Sequence, residues 1–224
     1  MRLTPELISL VHEEMEDPGP VPDVDHMDDE DYARVVANLL RDVDKNAPIR
    51  VFAYGSLMWN PECDVHASEI GMVHGWPRSF CMRLPRYRGT VDRPGLMMGL
   101  DRGGSCRGLV QTLDRAKAAA SLDDLVRREL ITKPCTYSAR WLVVRTDRGP
   151  VRAITFVIDR KGWSYEGGLC PETTAKRLAH AVGHMGTNAE YLMNTVQHLE
   201  DLGIKDRNLC RLERLVAREI AARY

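Results

Sequence analysis

Apolar and polar residues follow two different periods along this chain of 224 residues. Between residues 49 and 158, short apolar runs are separated by glycines and charged residues, which is typical of β-strands that end in turns. Outside this region, apolar residues recur every three or four positions, as on one face of an α-helix. Strands are predicted at 51–54, 72–74, 76–84, 96–100, 106–113, 137–145 and 151–158.

About seven short strands around one helical segment predict a fold of the α+β class. The glycines between the strands favour the bends of a curved sheet, so we expect a small mixed β-barrel flanked by helices. The turn residues at 146–150 predict a hairpin between the last two strands.

The first 46 residues predict a helical extension. Apolar residues at helical spacing indicate one helix within 4–15 and another that reaches residue 43. A loop rich in proline and acidic residues, at 17–31, separates the two helices. We therefore expect an extension, residues 1–46, followed by a main domain, residues 47–224, that contains the barrel.

The last third of the chain is predicted to be helical. Thr187 and Glu190 have the spacing of a capping box, which opens a helix. Gly203 lies where the C-terminal cap of that helix is expected, and Asp206 can cap a final helix.

The strand at 51–54 runs into a loop that begins with Gly55 and Ser56. A strand that leaves its sheet at such a pair has backbone N–H groups without ladder partners, and these groups can converge on an anion. Gly55 lets a ligand approach the backbone because it has no Cβ. The hydroxyl groups of Tyr54 and Ser56 are predicted to add to the same rim. The alternative is an ordinary strand end that binds nothing.

A second informative segment is the helix predicted to start at Ser121, because Asp124 follows at capping-box spacing. Glu129 lies on the apolar stripe of this helix, whereas Arg127 and Arg128 are predicted to point elsewhere. The apolar residues of the stripe are Leu122, Leu125 and Val126.

A glutamate on an apolar face is costly unless it is paired, hydrogen-bonded or protonated. Burial of Glu129 would raise its pKa above the usual value of about 4.3, which suits general acid–base catalysis near neutrality. The alternative is a glutamate at a helix end that reaches solvent or pairs with an arginine.

The composition excludes several classes of function. A net charge of −1 provides no global field to recruit nucleic acid or an acidic membrane. No apolar run approaches the roughly 20 residues that span a bilayer, and no signal-peptide pattern opens the chain. The six cysteines form no C-x-x-C pair and predict reduced thiols in a cytoplasmic protein. The seven histidines contain no H-E-x-x-H motif, so no metal site is predicted.

Several segments together resemble the ChaC-type, glutathione-specific branch of the γ-glutamylcyclotransferase family. The loop Tyr54-Gly55-Ser56-Leu57, with Trp59-Asn60-Pro61 after it, is similar to the signature loop of that family. Residues 128–132, Arg-Glu-Leu-Ile-Thr, are similar to its R-E-M-I-T segment. Further matching segments lie at 75–76, 80, 88–90, 94–95, 186–192 and 202–203, so that the resemblance covers about residues 49–215.

The resemblance implies that the α-amine of a γ-glutamyl group attacks its own side-chain amide and releases 5-oxoproline. With glutathione as substrate, the other product is Cys-Gly, and no cofactor is required. The resemblance gives Glu129 the role of general acid and base, and residues 54–57 that of binding the γ-glutamyl head. It also implies that Tyr165 contacts the substrate, and that Arg88 either contacts a substrate carboxylate or is an exposed structural arginine.

Two other functions stay open at this point. A cyclotransferase for other γ-glutamyl amines or amino acids would have nearly the same loop. A non-catalytic module that binds small molecules could use the same scaffold, although the presence of Glu129 at the matching position argues against it. The sequence makes no prediction of an oligomeric state.

Overall fold

The computed structural model describes residues 1–44 and 46–224, and their contacts divide the chain into two units. The barrel unit consists of Val24–Ser79 and Gly99–Tyr165, and the helical unit of Met1–Asp23, Phe80–Met98 and Glu166–Tyr224. In chain order the elements are α1 (Pro5–Ser9), β1 (Asp25–His26), α2 (Asp29–Leu40), β2 (Arg50–Ala53), a 3₁₀ turn (Ser56–Met58), β3 (Val65–His74), β4 (Arg78–Leu84), β5 (Gly95–Leu100), β6 (Ser105–Leu113), α3 (Ala118–Glu129), β7 (Thr132–Lys133), β8 (Tyr137–Thr146), β9 (Gly149–Ile158), α4 (Pro171–His180), β10 (Val182–Gly183), β11 (Gly186–Thr187), α5 (Asn188–Asp201) and α6 (Arg207–Ala221).

Five strands of the barrel unit close on themselves. Antiparallel pairs join β2 to β6, β6 to β3, β3 to β8, and β8 to β9. A parallel contact between Val51 of β2 and Ile154 of β9 then closes the ring. At its end β5 adds a second parallel contact, between Leu100 and Val157. The mixed β-barrel and the α+β class predicted from the sequence are therefore confirmed.

The interior of the barrel is filled by side chains that alternate along its strands, as the period of two requires. Phe52, Val73, Val110 and Val157 are almost fully buried there. The predicted hairpin is present, with ten residue pairs between β8 and β9. Gly149 has a φ of 113° at its turn, a conformation that residues with a Cβ rarely adopt.

Two helices accompany the barrel in this unit. The N-terminal end of α2 carries a reciprocal capping box between Asp28 and Asp31. Helix α3 begins at Ala118, three residues before the predicted start, and Ser121 is buried inside it. Because the run of three alanines at 118–120 has high helix propensity, the helix extends past the apparent capping box.

The helical unit contains α1, α4, α5 and α6, with α6 packed against α4 and α5. The predicted caps are confirmed: Thr187 accepts from the N–H of Glu190, Gly203 follows α5 with a φ of 68°, and Asp206 caps α6. Asn188 bonds both backbone groups of Leu96, which ties β5 to the start of α5.

Helix α1 is shorter than the predicted helix within residues 4–15, because it ends at Ser9. Glutamates at 13, 14 and 16 would lie at the negative C-terminal end of a longer helix, where acidic side chains are unfavourable. Among the residues that the structure describes, no helix is long and apolar enough to cross a bilayer.

Candidate active site

The loop that follows β2 forms a 3₁₀ turn whose hydrogen bonds begin at Gly55. The N–H groups of Met58, Trp59 and Asn60 bond back to the carbonyl groups of Gly55 and Ser56, which forms the 3₁₀ turn. The N–H groups of residues 55–57 precede this first hydrogen-bonded turn and therefore have no partner within it.

The carbonyl groups of the same loop are occupied. Arg78 donates its Nε–H to the carbonyl oxygen of Tyr54 at 2.6 Å, and the side-chain amide of Gln111 donates to that of Leu57 at 2.9 Å. Because its carbonyl groups are bound and its first amides have no partner within the turn, the loop presents the positive ends of its peptide dipoles. This arrangement suits an anion or a developing oxyanion.

Tyr54 corrects one prediction about this loop. Its hydroxyl does not lie on the rim but donates to the carbonyl oxygen of Phe156 at 2.9 Å, in the buried core of the barrel. Tyr54 directly follows β2 and keeps the alternation of its side chains, so it points to the same face as Phe52. Tyr54 therefore contributes only its backbone to the loop. Binding of a substrate by Tyr54 stays a prediction.

An arginine of α3 connects Ser56 to the helix that carries Glu129. The Oγ of Ser56 accepts a hydrogen bond from Nη2 of Arg128 at 3.1 Å. Nη1 of Arg128 donates to the carbonyl oxygen of Asn60 at 2.8 Å and lies 3.0 Å from a carboxylate oxygen of Glu62. One guanidinium therefore holds the loop at both ends of its turn.

Glu129 is the last residue of α3 and lies beside the same guanidinium. The Nε of Arg128 is 3.5 Å from Oε1 of Glu129. This separation is longer than the usual 2.7–3.2 Å of a hydrogen bond, so the charge of the carboxylate is only partly compensated. Arg128 thus connects the loop to the carboxylate, whereas the sequence had predicted that it points elsewhere.

The position of Glu129 on the apolar stripe is confirmed, since Leu122, Leu125 and Val126 are all buried and its own side chain is only 16% exposed. Burial raises the pKa of Glu129 to about 7, although Arg128 lowers it, and the charge of Glu62 adds a smaller upward effect. A carboxyl group with this pKa is present in both protonation states near neutral pH, as a general acid and base requires.

Tyr165 also lies in the barrel unit. Its hydroxyl donates to Oδ2 of Asp101 at 3.1 Å, and Nε of Arg160 donates to the other oxygen of the same carboxylate at 2.7 Å. The guanidinium of Arg160 lies 5.9 Å from the centre of the Tyr165 ring. Contact of Tyr165 with a substrate stays a prediction.

Arg88 belongs to the helical unit and is 19% exposed. Its Nη1 donates to the carbonyl oxygen of Thr187 at 2.9 Å and to Oε2 of Glu190 at 2.6 Å. The guanidinium is therefore neutralised by Glu190 at the start of α5. A substrate contact of Arg88 stays a prediction as well.

Arg128 and Gln111 are the residues of this site that sequence reasoning missed. Gln111 is 4% exposed in the middle of β6, and a polar residue within an apolar strand is the signal that could have indicated a buried partner. Arg128 gave only a weak signal, because an arginine in the last turn of a helix is common. The described residues contain no cluster of three or more His, Cys, Asp or Glu side chains arranged to hold a metal ion.

Known proteins with similar sequences come from one family. A family model described as "ChaC-like protein" matches residues 49–219. A glutathione-specific γ-glutamylcyclotransferase from Escherichia coli is 39% identical over 163 residues, which cover 72% of this chain and 70% of that protein. Gamma-glutamylcyclotransferase 2-1 from Arabidopsis thaliana is 29% identical over 191 residues, covering 77% of this chain and 86% of that protein.

The fold is similar to that of solved structures. The crystal structure of a γ-glutamyl cyclotransferase specific to glutathione from yeast superposes with a TM-score of 0.69. The sequences share 20% identity, and the superposition covers 78% of this chain and 97% of the yeast chain. At this identity the similarity concerns the fold.

Proposed function

Because this chain belongs to the ChaC-like protein family, we propose that it is a γ-glutamylcyclotransferase that converts glutathione to 5-oxoproline and Cys-Gly. The observation that carries the proposal is the desolvated carboxyl group of Glu129, which Arg128 connects to the loop that follows β2. The names of the E. coli and yeast relatives favour glutathione over other γ-glutamyl compounds.

In the proposed reaction the nucleophile belongs to the substrate. The α-amino nitrogen forms a bond to the γ-carbonyl carbon, and the bond from that carbon to the cysteine nitrogen breaks. The amine must lose a proton before or during attack, and the departing nitrogen must gain one. The protein must therefore assist two proton transfers and stabilise the negative charge that develops on one oxygen.

Glu129 manages the proton. A substrate ammonium with a pKa near 8 can pass its proton to a carboxylate whose pKa is about 7, because the two values are close. The same carboxyl group then returns the proton to the leaving nitrogen. A carboxylate with the ordinary pKa of about 4.3 would be a weaker base for the first step.

The loop manages binding and geometry. The amides of residues 55–57 can receive the α-carboxylate of the γ-glutamyl head or the oxyanion that forms on the γ-carbonyl. Holding the head in a folded conformation brings amine and carbonyl together, an orientation effect that supplies several kcal/mol. Arg128 fixes the distance between this loop and Glu129, because it bonds to the one and lies beside the other.

The compartment is part of the same proposal. All six cysteines lie among the described residues and none of them forms a disulfide there, which supports a reducing, cytoplasmic location. The division into an extension, residues 1–46, and a catalytic domain, residues 47–224, also remains a proposal.

The test is release of 5-oxoproline from glutathione, from γ-glutamyl amino acids and from γ-glutamyl amines, measured by chromatography. We expect glutathione to have the highest kcat/KM of the panel. A higher value for another γ-glutamyl compound would assign the enzyme a different substrate. No 5-oxoproline from any member, with a folded protein, would contradict the proposed reaction.

Gly55→Ala tests the loop. A methyl group at this buried position would narrow the approach of a ligand to the loop amides, so we expect KM for glutathione to rise about tenfold. We expect kcat to change less, because Glu129 is untouched. Gly104→Ala is the matched control, since a Cβ there would meet only Pro77 at ordinary contact distance. An unchanged KM in the folded Gly55 variant would assign the loop a structural role.

A further inference from the structure

The segment that follows Glu129 pairs with β1, a short strand that precedes the barrel strands in the sequence. Strand β7 pairs antiparallel with β1, with Asp25 opposite Lys133 and His26 opposite Thr132. The N–H of Met27 extends the ladder by donating to the carbonyl oxygen of Ile131 at 3.0 Å. Two-residue strands have little stability alone, so this pairing supplies the backbone partners of residues 131–133.

Charged side chains reinforce the same contact on both sides of Glu129. Lys133 forms ion pairs with Asp28, at 3.0 Å, and with Asp31. Arg127 lies 2.6 Å from a carboxylate oxygen of Asp29. The basic residues two positions before and four positions after Glu129 thus both meet the acidic first turn of α2.

An aromatic contact completes the arrangement. The guanidinium of Arg127 lies 4.6 Å from the centre of the Tyr32 ring, which is buried. Asp28 and Asp31 serve twice, because they form the capping box of α2 and also bind Lys133. The start of α2 and the segment after Glu129 are therefore held by shared side chains.

We propose that residues 25–32, which we call the strap, are a positioning device for Glu129: they hold residues 127–133 so that its carboxyl group stays beside the loop and out of water. The inference rests on the proposed function, because it concerns the catalytic role of Glu129. The strap lies outside residues 49–219, the part of the chain that the family model matches.

The strap is expected to change the acidity of Glu129. The charged or titratable groups around this carboxyl group are Arg128 on its own helix, Glu62 after the loop and Cys135 beyond β7. None of them belongs to the strap, so the strap acts on this pKa by excluding water. A loosened strap would hydrate Glu129 and lower its pKa from about 7 toward its ordinary value.

The test compares wild type with Asp28→Asn/Asp31→Asn and with Lys133→Met. We expect kcat for glutathione to fall about tenfold in both variants, with KM within about twofold of wild type. We also expect the acid limb of kcat to move to lower pH. Lys133→Arg keeps the charge and should restore most of the rate.

Glu16→Gln/Asp42→Asn is the matched control, because it removes the same charge at exposed positions of the first 46 residues that lie outside the strap. Lys133→Met leaves the α2 capping box intact, so it decides the matter if the double variant does not fold. The inference is overturned if kcat and the acid limb match wild type in a folded Lys133→Met protein.

A carbon-13 titration of the Glu129 carboxyl group separates this inference from the proposed function, because it needs no turnover. A lower pKa in the strap variants supports the strap even if Glu129→Gln proves active and the catalytic role fails. An unchanged pKa overturns the strap even if Glu129→Gln proves inactive.

Discussion

Replacing Glu129 by Gln is expected to lower kcat for glutathione by about 10³–10⁴-fold, the upper part of the range for loss of general acid–base catalysis. One carboxyl group serves two proton transfers in the proposed reaction, and an amide can serve neither. Gln has nearly the same shape, so packing against Leu122, Leu125 and Val126 is retained and the fold is expected to survive. The measurement is 5-oxoproline release under saturating glutathione, with circular dichroism to verify the fold.

Glu16→Gln is the control for this substitution, because Glu16 is exposed and lies outside the loop, α3 and the strap. It is expected to turn over at the wild-type rate. A folded Glu129→Gln enzyme that keeps more than about a tenth of wild-type kcat would remove Glu129 from the proton transfers.

The same variant has an expected stability effect with a definite sign. In the folded protein the pKa of Glu129 is about 7, above its unfolded value, so the native state binds the proton more tightly. Wild type therefore loses stability as pH rises from about 4.5 to about 7, by about 3 kcal/mol at most. Because Gln does not titrate, the Tm of the variant relative to wild type should be higher at pH 8 than at pH 5.

The position of Glu129 on an apolar helix face could be predicted from the sequence because its signal is local. Positions three, four and seven residues before it are apolar, and the period of a helix alone places a carboxyl group on their stripe. The barrel could be predicted for a similar reason, since alternating apolar runs and glycine-rich turns are local patterns.

Arg128 could not be predicted in the same way. Helical period fixes the direction in which its Cβ leaves α3, but a long side chain can turn back and place its guanidinium beside the neighbouring residue. Its partners Ser56 and Asn60 lie about 70 positions earlier, and only the folded barrel brings them near. The position of the Tyr54 hydroxyl was wrongly predicted for a different reason. Its buried partner is a backbone carbonyl group, which no residue pattern indicates.

The pairing of β1 with β7 could not be predicted either. Strands of two residues carry no alternation that could distinguish them from loop. The acidic run from residue 28 to 31 falls in the segment predicted to be a loop, yet it caps α2 and binds the basic residues around Glu129. Charge complementarity over 100 positions of sequence becomes visible only when both segments are placed.

Arg128→Met is expected to lower kcat/KM for glutathione by about 10²-fold, the second-largest effect among these variants. Met has a long apolar chain that can occupy the space of the arginine stem, but it has no donors for Ser56 and Asn60. The loop would lose the side chain that sets its distance from Glu129, and a displacement of about 1 Å suffices for such a loss. Arg128→Lys keeps the charge without the planar fork, so its kcat/KM should lie between wild type and Arg128→Met.

The pH profile decides whether Arg128 acts on Glu129 or only on the loop. The charge of Arg128 lowers the pKa of Glu129, so its removal should raise that pKa above about 7 and move the acid limb of kcat to higher pH. Arg128→Lys should leave the limb near its wild-type position, because a positive charge remains. Arg140→Met is the control, since this exposed arginine of the barrel unit contacts Ser138 on its own strand. An acid limb that stays in place in a folded Arg128→Met enzyme would confine the arginine to holding the loop.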